Sequence, residues 1–309
     1  MTIAQHFTDA KQKAVALEPP NRVLVEFTGG DRARFLHNFC TNDIQGLAVN
    51  TGCEVIFTNI KARAMGHGYV FAGETSHWLE TSTSGLDELL KHLDKYLITD
   101  DVEFKQRDDL QQILVTGPDA VGRVAAAVQA EEAINPLTQV SVGDLCLRRV
   151  DCFNEPGILI AGKEEAIAPV RSSLNAIDCG ETYEAVRVEA GFPLYGTDFS
   201  ADHMAPEVGR IKQAISYKKG CYLGQEPIAR LDALGHVNKS LCPVESIGAE
   251  APAVGSAITN ADGEEVGTFT SSVSDPIDAR CYGLAWLKYQ FANPGTELTS
   301  VDKPITVRG

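Results

Sequence analysis

A strand, a helix, two or three further strands and a second helix follow one another twice by Leu174, and that recurrence restricts the fold of this chain more than any other feature. In the first pass, residues 23–27 form a β-rich run, and the turn Thr28-Gly29-Gly30-Asp31 leads into a helix with Leu36, Phe39 and Cys40 on one face. Strands are predicted at 55–58, 65–72 and 78–81. Leu86, Leu89, Leu90, Leu93 and Leu97 then repeat with the period of an amphipathic helix, and residues 102–106 close the set. The second pass gives a strand at 111–116, a helix from Gly117-Pro118-Asp119 to about Ala130, strands at 145–150 and 157–161, and a helix at 164–174. Such units are split β-α-β modules whose helices cover one face of an antiparallel sheet, so the fold class is α+β. A doubly wound sheet would need a glycine fingerprint that the sequence lacks.

After Leu234-Gly235-His236 helical periodicity disappears. Short β-rich runs at 241–244, 256–259, 266–273 and 281–287 are punctuated by Asp262-Gly263, Asp275-Pro276 and Asn293-Pro294-Gly295, the pattern of a small β-barrel or sandwich. The division expected is therefore 1–236, made of two α+β units at roughly 1–108 and 109–236, followed by a β-barrel domain at 237–309. At 309 residues the chain exceeds what one hydrophobic core usually serves, which agrees with several packed units.

Composition excludes several classes. No window approaches the uninterrupted apolar length of a membrane span, and the first twenty residues lack the basic start and apolar stretch of a secretory signal, so a cytoplasmic address is expected. The net charge of −15 repels a phosphate backbone, which argues against direct nucleic-acid binding. Eight cysteines are scattered without a C-x-x-C pair, so they read as reduced thiols and no metal site is expected. A G-x-S-x-G elbow, a Walker loop and an H-E-x-x-H helix are all missing. A cysteine hydrolase pairing Cys221 with His203 or His236 stays open, because one sequence does not show which residues are adjacent in space.

Chemistry concentrates in three stretches. In KKGCYLGQEPIAR, residues 218–230, a thiol lies between two glycines, after Lys218 and Lys219 and ahead of a helix beginning near Glu226 and Pro227. Positive charge and a helix start both favour a thiolate, so Cys221 is a candidate reactive thiol. From composition alone Cys221 also reads as a small buried residue, and Glu226 with Arg230 as an ordinary helix pair. The second stretch runs from Arg187 through Glu189 to Tyr195 and Gly196; Glu189 is either a ligand-binding carboxylate or a helix-end acid paired with Arg187. In the third, Thr41, Asn42 and Asp43 are capping and turn residues that also qualify as cavity-lining candidates.

Residues 219–226 closely resemble the K-G-C-aromatic-x-G-Q-E motif of the folate-binding YgfZ family, with Arg230 four residues beyond the Glu. The stretch from Arg187 to Gly196 resembles the R-x-E-x-G-x-P-x-x-G pattern that this family shares with glycine-cleavage T-proteins, and the stretch around Thr41-Asn42-Asp43 resembles the superfamily's first helix and turn. The likeness extends over nearly the whole chain. It implies an aminomethyltransferase-like ring of two split β-α-β units and a C-terminal β-barrel around a central cavity that binds tetrahydrofolate or another reduced folate. Glu189 is then the pteridine acceptor, since a carboxylate can take two parallel N–H bonds. Arg187, Lys219, Arg230, Tyr195, Asn42 and Asp43 are further binding candidates, with Lys218, Lys219 and Arg230 supplying charge for the folate's glutamate carboxylates. Cys221 is the functional thiol, facing the same cavity.

One departure separates two functions. T-proteins carry an acid on the strand after the first hairpin, whereas no carboxylate occurs here between Asn59 and Ala72. Losing it removes an electrostatic contribution of a few kcal/mol to one-carbon transfer. The turn instead reads Lys61-Ala62-Arg63, with Ala62 where relatives of YgfZ carry glycine, and His67 reads as a structural strand residue. The resemblance therefore implies an accessory factor for iron–sulfur cluster assembly or repair, whose partners are iron–sulfur client proteins including tRNA-modifying enzymes. A tetrahydrofolate-dependent aminomethyltransferase is the alternative.

Overall fold

The computed structural model describes residues 2–130, 134–150, 152–275 and 277–309; Pro276, half of the expected Asp275-Pro276 turn, lies outside them. The chain opens with helix α1 (Ile3–Gln12), whose N-cap Thr2 accepts a hydrogen bond from Gln5 N at 3.3 Å, and strand β1 (Val15–Leu17). Neither was legible in the sequence. Next come β2 (Arg22–Thr28), α2 (Arg32–Phe39), β3 (Gly52–Thr58), β4 (Ala64–Ala72), β5 (His77–Ser82), α3 (Leu86–Asp94) and β6 (Glu103–Gln106). The strands make one sheet in the order β3-β4-β5-β2-β6, all neighbours antiparallel. Because side chains alternate across a strand, Val70 of β4 joins Phe35, Leu36 and Leu89 beneath the helices, while Tyr69 and Phe71 point the other way.

The second unit comprises β7 (Gln111–Thr116), α4 (Ala120–Val128), β8 (Gln139–Val142), β9 (Leu145–Val150), β10 (Gly157–Gly162) and α5 (Glu164–Leu174). Its sheet runs β1-β7-β10-β9-β8. Val15, Ala16 and Leu17 are all buried and pair with Thr116, Val115 and Leu114, so the start of the chain packs into the second unit although it precedes the first in sequence. Both sheets contribute inner-face residues to one apolar cluster, in which Tyr69 and Phe71 meet Leu114, Val150 and Leu159.

Three helices, α6 (Gly180–Glu189), α7 (Ile211–Ala214) and α8 (Gln225–Leu234), then connect to the last domain. There β11 (Lys239–Ile247), β12 (Ala257–Thr259), β13 (Glu265–Ser274), β14 (Arg280–Lys288), β15 (Glu297–Ser300) and β16 (Lys303–Val307) close a barrel in the order β11-β14-β13-β12-β15-β16. Closure leaves no unpaired edge, and Val244, Val266, Phe269, Leu287 and Ile305 fill the interior. Arg187 locks this barrel to α6. It is fully buried, and its guanidinium makes hydrogen bonds to Glu184 (3.1 and 2.6 Å), the Phe192 carbonyl (2.8 Å), Asp198 (2.6 Å) and Ser271 of β13 (2.9 Å).

Candidate functional site

The stretch 218–224 is seated on the first unit by its own backbone and by one lysine. Lys219 is buried, and its Nζ donates to the carbonyls of His37 (2.6 Å), Cys40 (2.7 Å) and Asn42 (2.8 Å) at the end of α2. The His37 and Cys40 carbonyls are among those that a helix C-terminus leaves without helical partners, and a cation is favoured there. Leu223 N donates to Asn38 O at 2.8 Å, and Thr58 Oγ1 donates to Leu223 O at 2.6 Å. Gly224 has φ +89°, and a Cβ there would lie 2.6 Å from the Asn59 carbonyl, so only glycine fits. Beneath it, Ala62 holds φ +58° while fully buried, a left-handed conformation that costs a residue with a Cβ and that glycine takes freely.

This seating leaves Cys221 as the one exposed thiol of the eight. It lies four residues before the first residue of α8. Burial pushes the thiols of Cys40, Cys53, Cys146 and Cys152 up, and that of Cys242 to about 11.

Glu189 ends α6 and faces a different cavity, of about 280 Å³, with Ala10, Lys11, Thr116, Phe153, Asn154, Glu155 and Val186. Lys11 Nζ lies 2.7 Å from Glu189 Oε1 and 3.2 Å from Asp275 Oδ2. Burial raises the Glu189 carboxyl above its ordinary range, with Lys11 pulling against it. Arg308 anchors the same helix end by donating to the Glu189 carbonyl at 2.5 Å. Deeper between the sheets, Arg22, Glu80, Cys152, Tyr183 and Phe192 enclose a void of only about 10 Å³, room for about one water.

Several residues that the sequence marked as binding candidates have other work. All five donors of Arg187 are used in the bonds to the barrel and α6, and all three of Lys219 on α2, so neither has a proton left for a folate carboxylate; this corrects both assignments. Asn42 is also a structural residue: its Nδ2 donates to Glu54 O (2.9 Å) and Gln213 O (3.0 Å), and its Oδ1 accepts from Asp43 N (2.9 Å). Asp43 accepts from Gly46 N at 3.0 Å and lies 3.2 Å from His37 Nδ1. Tyr195 is buried edge-on against Phe199. Arg230 is exposed on α8 beside Glu226 and His236, in a cleft of about 510 Å³ that neither Cys221 nor Glu189 lines. The resemblance implies that Cys221 faces the same cavity as Glu189, but it is not among the residues that line the Glu189 cavity.

Sequence reasoning passed over one constellation. Glu54 of β3 is 2% exposed; its Oε1 lies 2.8 Å from His67 Nε2 and accepts from Arg210 Nε at 2.8 Å, while Oε2 accepts from Arg210 Nη2 at 2.5 Å. Burial pushes this carboxyl up, but the bonds from Arg210 and His67 outweigh it and hold the group below its ordinary range. The neighbouring strand therefore brings a carboxylate to His67, already neutralised by a guanidinium.

Comparison with known proteins decides the family. Residues 238–309 match the family model described as the CAF17 C-terminal beta-barrel domain. The tRNA-modifying protein YgfZ of Yersinia enterocolitica is 31% identical over 239 residues, covering 75% of this chain and 71% of that protein. The chain belongs to the YgfZ family. A chloroplastic protein of Arabidopsis thaliana is 26% identical over 293 residues, covering 89% of this chain; the match spans 65% of that relative's length.

The YgfZ fold here is that of a T-protein: glycine cleavage system aminomethyltransferase T from Bartonella henselae superposes with a TM-score of 0.88 over 99% of this chain and 88% of that one, at 14% identity. Identity that low shows the fold alone. In this YgfZ-family chain no helix among the described residues is long and apolar enough to cross a membrane, and no group of three or more His, Cys, Asp or Glu side chains among them could hold a metal.

Proposed function

We propose that this protein binds tetrahydrofolate, or another reduced folate, as an accessory factor for iron–sulfur cluster assembly or repair in the cytoplasm, with Cys221 as its functional thiol. The observation that carries the folate reading is Glu189, a half-buried carboxylate on a cavity with the apolar walls Ala10, Val186 and Phe153. Its volume of about 280 Å³ is near the lower end for small-molecule pockets, a fit for a pteridine ring with the rest of the folate outside. A carboxylate can accept two parallel N–H bonds from such a ring. Bound there, a reduced folate would supply amine nitrogens able to carry a one-carbon unit. Arg230 remains a candidate partner for the glutamate carboxylates, since it is exposed where Lys219 is not.

The accessory role rests on the family resemblance and on the YgfZ relatives named as tRNA-modifying proteins. A net charge of −15 favours action on tRNA through client enzymes, not by contact with RNA. Aminomethyl transfer is disfavoured because the stretch from Asn59 to Ala72 carries no carboxylate, and Glu54 on the neighbouring strand is held by Arg210 and His67. Calorimetric titration of the full chain with tetrahydrofolate tests the folate reading. Saturable binding that Glu189→Ala weakens supports it, and no binding at millimolar folate overturns it.

A further inference from the structure

Between the two α+β units, away from Glu189, lies a cleft of about 750 Å³. Its back wall contains Arg148 of β9, which is 1% exposed. Gln139 Oε1 accepts from Arg148 Nε at 3.2 Å, and the guanidinium stacks 5.1 Å from the Trp78 ring centroid and 5.8 Å from that of Phe71. Arg148 Nη1 is buried with no hydrogen-bond partner among the described residues. The acids that act on it, Glu80 and Glu26, are bound to Arg22 and Arg107. A buried guanidinium with neither a paired carboxylate nor a full set of acceptors is costly, and side chains left in that condition mark places where a partner arrives from outside.

The rest of the cleft says what kind of partner. Arg107 lies 5.6 Å from the Trp78 centroid, so that ring is flanked by two guanidiniums, and Lys163 adds a third cation at the rim. Glu74, Asp144 and Glu165 are exposed at the same rim, which makes the mouth mixed in sign and leaves only the inner end positive. The volume suits a small organic molecule, larger than a bare ion. We propose that this cleft is a second binding site, taking a small organic oxyanion with its carboxylate or phosphate on Arg148 and an uncharged body against Trp78. The inference stands apart from the folate reading, since it shares no residue with the Glu189 cavity.

The test titrates the full chain separately with benzoate, phenyl phosphate and inorganic phosphate, following thermal midpoint and tryptophan fluorescence. At least one of the two organic anions should give a saturable rise in midpoint with a change in emission from Trp78, and should bind at least tenfold more tightly than inorganic phosphate. Benzoate alone would assign the site to carboxylates and phenyl phosphate alone to phosphate esters, either supporting the proposal. Arg148→Met should lose the response. Arg148→Lys, which keeps the charge without the planar fork, should weaken it at least tenfold and supplies the reading if the methionine variant does not fold. No saturable response to either organic anion, or a response that survives both substitutions, would overturn the site.

Discussion

Lys11 Nζ lies 2.7 Å from Glu189 Oε1, an ion pair that ties the first helix of the chain to the end of α6. If a pteridine uses that carboxylate, Lys11 competes for it. Glu189→Ala should weaken tetrahydrofolate binding by about 1.5–3 kcal/mol, the scale of a lost charged hydrogen-bond partner. Lys11→Met should instead tighten it by up to ~1 kcal/mol, since a partly exposed ion pair is worth no more. Calorimetry on both variants checks this. Loss of binding in Lys11→Met equal to that in Glu189→Ala would make Lys11 a ligand contact and not a competitor.

Lys219 gives a stability prediction. Its replacement by methionine leaves the carbonyls of His37, Cys40 and Asn42 without their donor, at a cost of roughly 3 kcal/mol. Denaturant unfolding should show that loss. Unchanged stability with impaired folate binding would return Lys219 to the ligand.

His77 predicts an acid-sensitive limb. Burial, with Arg32 beside it, lowers its imidazole to about 4. Arg32 Nε donates to His77 Nδ1 at 3.2 Å, a bond only the neutral ring accepts. In the unfolded chain the ring titrates near ~6.5, so as pH falls the unfolded state takes up the proton first. The stabilisation is complete above that pH and is lost as pH drops toward about 4. The thermal midpoint should fall across this window, and His77→Gln should flatten the fall; identical profiles would remove His77 as its cause.

The repeated strand and helix order, the amphipathic helices and the change to barrel strands were legible because each carries a local period. Helix α1 and β1 were not, since β1 is three residues long and acquires its role only by pairing with β7. Motif spacing singled out Glu189 and Cys221 as candidates, but it did not show that Lys219 and Arg187 use every donor internally, because the acceptors of Lys219 and the Ser271 acceptor of Arg187 lie far away in sequence. The ion cluster of Glu54, His67 and Arg210 was missed for the same reason: 156 residues separate Glu54 from Arg210. The acid stands not on β4, since no carboxylate occurs between Asn59 and Ala72, but on the paired strand β3, where Glu54 faces Tyr69 in register.

The last prediction concerns the thiols. Cys221 is the exposed one of eight, whereas burial raises Cys40, Cys53, Cys146 and Cys152 and pushes Cys242 to about 11. Thiolate fraction and access both set alkylation rates, so Cys221 should be labelled first near neutral pH, as site-resolved mass spectrometry would show. Cys221→Ser should change unfolding stability by less than ~0.5 kcal/mol, the usual range at an exposed position. Tetrahydrofolate binding should also survive, because Cys221 does not line the Glu189 cavity. If the thiol serves client proteins, the same variant should fail to restore iron–sulfur enzyme activity in cells lacking the native protein, and Cys221→Ala should fail equally, excluding residual hydroxyl chemistry. A purely structural cysteine would give the reverse: slow labelling, a lower melting point, and rescue in proportion to the folded protein that remains. Full rescue by the serine variant at normal abundance would sink the functional role of the thiol, even if Cys221 proves to be the fastest to react.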